Sequence, residues 1–165
     1  MRLLLLFLLL CGSLHAKSSI QADSADYDGK KIRMAGGVRI QHEFGNIACD
    51  KGVMLMKEAS DVRLDLDRIL LNGSIEVVLH DGSVLTADEA DINCKTLEGV
   101  FTAADPNKVI YLTRVEEDGK AIPVKTMSRS MRVTMKRQES GSHSQYVIQD
   151  VQALGAVNIE YQQEK

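Results

Sequence analysis

His42, His80 and His143, with Cys49 and Cys94, are the candidate metal ligands of this chain outside its apolar first segment. Zinc takes three or four converging ligands, usually with a close-spaced pair among them. No Cys–His pair here has that spacing, so His42 and His80 read as solvated turn residues and His143 as a loop residue. Asp88 and Asp91 are the one candidate pair of carboxylates for acid–base work. Asp23 and Asp50 occupy corresponding places elsewhere, which makes such an Asp part of a repeated unit. There its oxygen can accept backbone N–H groups at a strand end. No nucleophile elbow, triad, phosphate loop or dinucleotide fingerprint occurs. The sequence therefore reads as a non-enzyme without catalytic residues, metal or cofactor. Lys125, Arg129, Arg132, Lys136 and Arg137 form a basic run. It is either a solvated strand face whose lysines discourage edge pairing or a phosphate-contacting face. Without interleaved aromatics it is a poor nucleic-acid surface, and the net charge of -3 adds no general attraction to polyanions.

The elements that hold these residues repeat. Ile32, Met34, Val38 and Ile40 share one parity while Arg33, Arg39 and Gln41 share the other, the pattern of a half-buried strand. His42-Glu43-Phe44-Gly45 reads as a reversal, after which Ile47, Val53 and Leu55 resume the pattern. Gly36-Gly37-Val38-Arg39-Ile40 returns as Gly73-Ser74-Ile75-Glu76-Val77, and its leading half returns alone as Gly155-Ala156-Val157-Asn158-Ile159. Cys49-Asp50-Lys51-Gly52-Val53-Met54 returns as Ala87-Asp88-Glu89-Ala90-Asp91-Ile92, after one inserted residue that follows the match of Val84 to Ile47. Ala22-Asp23-Ser24-Ala25-Asp26-Tyr27 is the trailing half, alone near the start. A unit that cannot bury its own apolar face must stack on copies of itself. The expectation is an all-β structure built from repeated hairpins. An aromatic content of 4% without Trp requires an interior of aliphatic side chains and Met.

Between and after the units, residues 60–67 read as a strand with one wet face, and Ile69 to Leu79 as the second hairpin arm. Ala103-Ala104-Asp105-Pro106-Asn107 is the clearest turn. Val109 to Val115 follows as a strand, then a polar turn over 116–120. Met131, Val133 and Met135 alternate with Arg132, Thr134 and Lys136. Gln138 to Gln145 reads as a loop, and Tyr146 to Tyr161 as a last strand pair. Cys49 and Cys94 fall at opposite ends of their strands, which favours two separate thiols over a bridge.

Residues 1–16 have a charged start, an apolar run Leu3 to Leu10 and a small Ala16, the layout of a signal peptide. The run is short for a bilayer span of about 20 residues. Cleavage after Ala16 leaves one domain over 17–165. The alternatives are a retained short anchor and lipidation at Cys11.

The chain resembles the OstA-like (LptA/LptC) family of periplasmic lipopolysaccharide-transport proteins. Ile20 to Tyr27 resembles the family's opening strand, and Gly36 to Ile40 with Ala48-Cys49-Asp50 resembles its repeated unit. Asp118-Gly119-Lys120 through Pro123, Met131 and Leu154-Gly155-Ala156-Val157 resemble its second half. Gly37, Ser74 and Ala156 stand where the family usually has Asn, and residues 60–104 form an extra unit. The resemblance implies an open, folded-over antiparallel β-jellyroll whose apolar inner face takes the acyl chains of lipid A. Like domains would pair head-to-tail through edge strands to form a bridge between membranes, with self-association as one form of it. The lining would be Ile32, Met34, Val38, Ile40, Ile47, Val53, Leu55, Ile69, Leu71, Ile75, Val77, Val84, Met131, Val133, Met135, Val157 and Ile159. The expected place is the periplasm, or the inner membrane if the first segment is kept as an anchor. A structural β-repeat module with a plainly packed interior is the competing class.

Overall fold

The computed structural model describes residues 19–42, 45–56, 66–140 and 143–161. Every regular element among them is a strand: β1 (Ser19–Gln21), β2 (Ser24–Tyr27), β3 (Lys31–His42), β4 (Gly45–Met56), β5 (Leu66–Leu79), β6 (Val84–Asn93), β7 (Glu98–Thr102), β8 (Val109–Glu117), β9 (Lys120–Ser128), β10 (Ser130–Ser140), β11 (His143–Leu154) and β12 (Asn158–Tyr161). They form one antiparallel sheet that does not close into a barrel. Its main path runs β1-β3-β4-β5-β6-β7-β10-β11. At β6 the path forks. Val84 to Thr86 pair with β8, whereas Glu89 to Asn93 pair with β7. β8 pairs in turn with β9, and β9 with β12. The proposed leader, and the reversal at 43–44, lie outside the described residues, as does most of the strand read over 60–67.

The fork reflects a bend that crosses the long strands. β3 and β5 each carry an irregularity, at Gly36-Gly37 and Gly73-Ser74. All four residues have positive φ, between 46° and 78°. In β4 and β6 the matching irregularity puts Asp50-Lys51 and Asp88-Glu89 at the bend. A Cβ on Gly36 would fall on the carboxylate of Asp23, and one on Gly73 on that of Asp50. Asp88 has no glycine opposite. Its Oδ2 accepts instead from the Ala104 N–H at 2.7 Å and from Asn107 Nδ2 at 3.1 Å. The repeated Asp thus marks the bend and not a strand end, since Asp50 and Asp88 lie within β4 and β6, and of the three Asp88 is the one shown accepting a backbone N–H.

The bend divides the sheet into two halves. The upper half holds β1, residues 38–42, 45–49, 75–79 and 84–87, and β8, β9 and β12. The lower half holds β2, residues 31–35, 51–56, 66–72 and 89–93, and β7, β10 and β11. Inner side chains of both halves belong to one apolar cluster. Val38, Val109 and Met131, beside the bend, have 0% exposure. The halves therefore face each other across the line of bends. Ring contact between His42, at the far end of the upper half, and Tyr146, in the lower half, shows the same thing at 5.9 Å. Each fully buried aliphatic side chain contributes roughly 1.5–3 kcal/mol, so this shared interior holds the halves together.

Several local readings differ from the structure. Within the segment 138–145, residues 138–140 and 143–145 are strand and not loop, because β10 runs to Ser140 and β11 starts at His143, while 141–142 lie outside the described residues. β11 and β12 do not pair with each other. β11 pairs with β10 in the lower half and β12 with β9 in the upper half, with Gly155 at the crossing between them.

The Asp-over-Gly contact can be separated from glycine's conformational freedom. Gly37 has a positive φ but open space around it. Gly37→Ala should cost about 1–2 kcal/mol, the cost of a left-handed Ala. Gly36→Ala and Gly73→Ala should cost a further ~1–3 kcal/mol for displacing a carboxylate. Urea denaturation measures the difference, and equal costs at all three sites would mean that the contact does not constrain the bend.

Candidate functional site: the apolar face between the two halves

The inner face is assembled by register. Residues directly opposite in an antiparallel pair lie on the same face. Val38, Ile40, Ile47, Ile75 and Val77 line the upper half, and all are buried. Met34, Ile69, Leu71, Met131 and Val133 line the lower half, also buried. Ile32 and Met135 are half-buried and pack against this cluster. Along β5 and β10 burial falls with distance from the bend, whereas Ile47, Met54, Leu85 and Ile92 on β4 and β6 stay buried. Along β10, Met131 and Val133 are buried and Met135 is half-buried. Along β5, Ile75 and Val77 are buried and Leu79 is half-buried. The gap between the halves is thus packed at the bend and along β4 and β6, and looser at the tips of β5 and β10.

Three predicted lining residues face outward. Val53 pairs with Arg33 and Leu55 with Lys31, both outer positions, while Met54 and Met56 turn inward. The cause is the bend in β4, where Asp50 and Lys51 are both exposed and the inner parity passes from Cys49 to Gly52. The repeat itself carries the missed signal. It aligns Val53 with Asp91, a residue that belongs on a wet face, and Met54 with Ile92. Val84 is outward because Leu85, opposite Val77, holds the inner place, so the inserted residue precedes Leu85. Leu85, Ala87, Ala90, Ile92, Phe101 and Val109 are buried core residues absent from the predicted set.

Val157 and Ile159 are not buried. Val157 lies outside β12 and is 45% exposed. Ile159 is 49% exposed, yet it stands opposite Thr126, which stands opposite Tyr111, a residue packed against the core. Ile159 is therefore on the inner face, beyond the reach of the lower half. Tyr161 shares that face with Val124 and is 67% exposed, and Val115, further along β8, is 50% exposed. At the other end Tyr27 stands opposite Ile32 on the inner face and is 54% exposed. The apolar face between the halves thus runs past its covered centre at both edges of the sheet, and an aromatic ring stands at each end.

The residues with chemistry are not gathered. Asp91 is held by Arg68 through two contacts, at 2.5 and 2.8 Å, and does not join Asp88. Cys49 and Cys94 are free thiols, and burial pushes the Cys49 thiol up to about 11. Among the described residues no group of His, Cys, Asp and Glu is placed to hold a metal ion. The basic run is dispersed. Lys125 lies in the upper half, 3.5 Å from Glu160, and Arg132 in the lower half, 2.9 Å from Glu98. His42 is not a solvated turn residue. Burial, with the charge of His80 second, lowers its pKa to about 4.

No protein-family model matches this chain, and no match is found among curated proteins.

His42 gives a pH signature. The unfolded imidazole takes a proton near pH 6.5, whereas the folded one does so near 4. Between those values the unfolded chain binds more protons, so the His42 contribution is whole above about pH 6.5 and declines toward pH 4. The stability advantage of the parent over His42→Phe should shrink across that window in urea titrations. A pH-independent difference, or an NMR-detected His42 pKa near 6.5, would contradict this burial.

Proposed function

We propose that this chain is a periplasmic lipopolysaccharide-binding transport protein of the OstA-like kind, a folded-over β-jellyroll that carries acyl chains between its two halves. The observation that carries the reading is the apolar inner face left open at both edges. A plain scaffold would end its interior in polar side chains at the rim. Here Tyr27 at one edge, and Val115, Ile159 and Tyr161 at the other, extend the apolar face into solvent. An interior of Val, Ile, Leu and Met suits flexible chains, because Met adapts its shape to what it meets. The order of Asp, Gly and apolar residues along the strands supports the same family reading. A membrane-anchored member of the pathway differs from a free one in whether residues 1–16 are kept.

A photo-crosslinking residue at Tyr27 or Tyr161 should capture lipopolysaccharide. One at Leu112 should not, because Leu112 is similarly exposed, at 43%, but stands opposite Val84 on the outer face. Equal capture from both faces, or none, would sink the proposal.

The edges supply the assembly. β1 runs toward the bend and β12 away from it, while β2 runs away from the bend and β11 toward it. A second OstA-like domain placed head-to-tail therefore meets β12 with β1 and β11 with β2, antiparallel in both halves. Strand addition of this kind uses the unpaired N–H and C=O groups of an edge. A head-to-tail contact extends as a filament instead of closing as a dimer. Ile159→Pro and Glu160→Pro each disturb β12 as a pairing strand. Both should lower concentration-dependent association in sedimentation experiments while circular dichroism stays that of the parent. Parent-like association by both folded variants would remove β12 as the contact.

A further inference from the structure

β10 and β11 outrun the rest of their half. β7 pairs with β10 only from Ser130 to Thr134, and β11 is the last strand on its path. Beyond Thr134 the ribbon is two strands wide. One backbone bond, from the Met135 N–H to the Leu97 carbonyl at 2.9 Å, ties its base to the β6–β7 turn. At about 3.3 Å per residue, residues 135–140 reach roughly 20 Å past that base. A free two-stranded ribbon is marginally stable in water, so packing of its own side chains must place it.

The place where the ribbon leaves β7 is also where it bends. Thr134 pairs with Asp150 and Met135 with Ile148, which leaves Gln149 as an extra residue. A bulge of this kind kinks its strand and strengthens the local twist. Past the bulge, Met135, Tyr146 and Ile148 pack against the shared core, and the Tyr146 ring meets His42 of the opposite half. His42 ends β3 on the far side from the bend. The ribbon therefore crosses the side on which burial is already loosening.

We propose that the β10–β11 ribbon is a strap that closes the side opening between the two halves, with the Tyr146–His42 contact as its latch and the Gln149 bulge as its hinge. The strap rests on the apolar-cargo reading, since what it admits on opening is an acyl chain entering from the side. Entry here is distinct from passage along the groove through the open edges, and it needs only the ribbon to lift. The stacked centre of the sheet stays paired.

The full chain with Tyr146→Ala, and separately with Gln149 deleted, tests this by two readouts. The first is hydrogen exchange of amides in 135–140 and 146–150, with β4 as the internal reference. The second is the stopped-flow uptake of N-phenyl-1-naphthylamine, an apolar fluorescent probe. The expected result for Tyr146→Ala is faster exchange in the ribbon alone and uptake faster by roughly 2- to 10-fold, the scale of one lost aromatic contact. Deleting Gln149 should straighten the ribbon and have the same two effects. If parent and variants bind the probe at one rate, the ribbon does not gate entry and the proposal is overturned, while the cargo reading stands. If neither parent nor variants bind the probe, the cargo reading fails and the strap with it. Should Tyr146→Ala loosen β4 as well, the Gln149 deletion decides by the same criteria.

Discussion

A carboxylate lying on a left-handed glycine is the contact on which this fold depends. β3, β4 and β5 are 12, 12 and 14 residues long, about twice the usual strand. A sheet of such strands would present one broad apolar face with nothing to cover it. The bends at Gly36-Gly37 and Gly73-Ser74 let each strand serve both halves, and the two halves then cover each other. An L-residue with a side chain at Gly36 or Gly73 would meet both a forbidden φ and the Asp23 or Asp50 carboxylate. Where the third Asp lacks a glycine opposite, its oxygen binds the turn at Ala104 and Asn107 instead. The same residue type therefore organises the bend by two different contacts.

Folding in half answers the burial problem but not the edge problem. Closing the structure would require β12 to reach β1 and β11 to reach β2, and neither pair forms. Edge strands are a liability, usually blunted by shortness, charge or proline. β1, β2 and β12 have 3, 4 and 4 residues, so three of the four edges are short. β11, with 12 residues, is long. Its two ends differ in setting, because residues near the bend sit beside a full half-sheet and those beyond Gln149 belong to the narrow ribbon.

The sequence shows the repeat and the strands plainly, because both rest on spacing. The parity of Ile32, Met34, Val38 and Ile40 survives the bend, since Gly36-Gly37 takes the chain from Met34 to Val38 in an even step. The parity of Ile47, Val53 and Leu55 does not survive, since Cys49 and Gly52 are an odd step apart. A run of apolar residues on both parities, Val53 to Met56, hides that shift. Only the aligned Asp91 reveals it. The ribbon was illegible for a related reason. Gln138 to Gln145 carries no apolar alternation, and polar, Ser- and Gly-containing composition alone reads as loop. The pairing of β12 with β9 instead of β11 depends on the crossing at Gly155, which a local pattern does not encode.

The unequal edges connect the proposed assembly to the proposed strap. In the proposed head-to-tail pair, β2 of one copy would lie along β11 of the other. Ser24 is the end of β2 nearest the bend, and Leu154 is that end of β11. Four residues of β2 therefore match Val151 to Leu154 and leave 143–150 unpaired on that side. Those residues are the ribbon arm and its bulge. A neighbour placed in this way would add strand pairing beside the bend of the lower half without pinning the part proposed to cross the opening. On this geometry, end-to-end continuity and side entry use different stretches of the same strand, divided at Gln149. A chain of such domains could stay joined while each member still opens at its side.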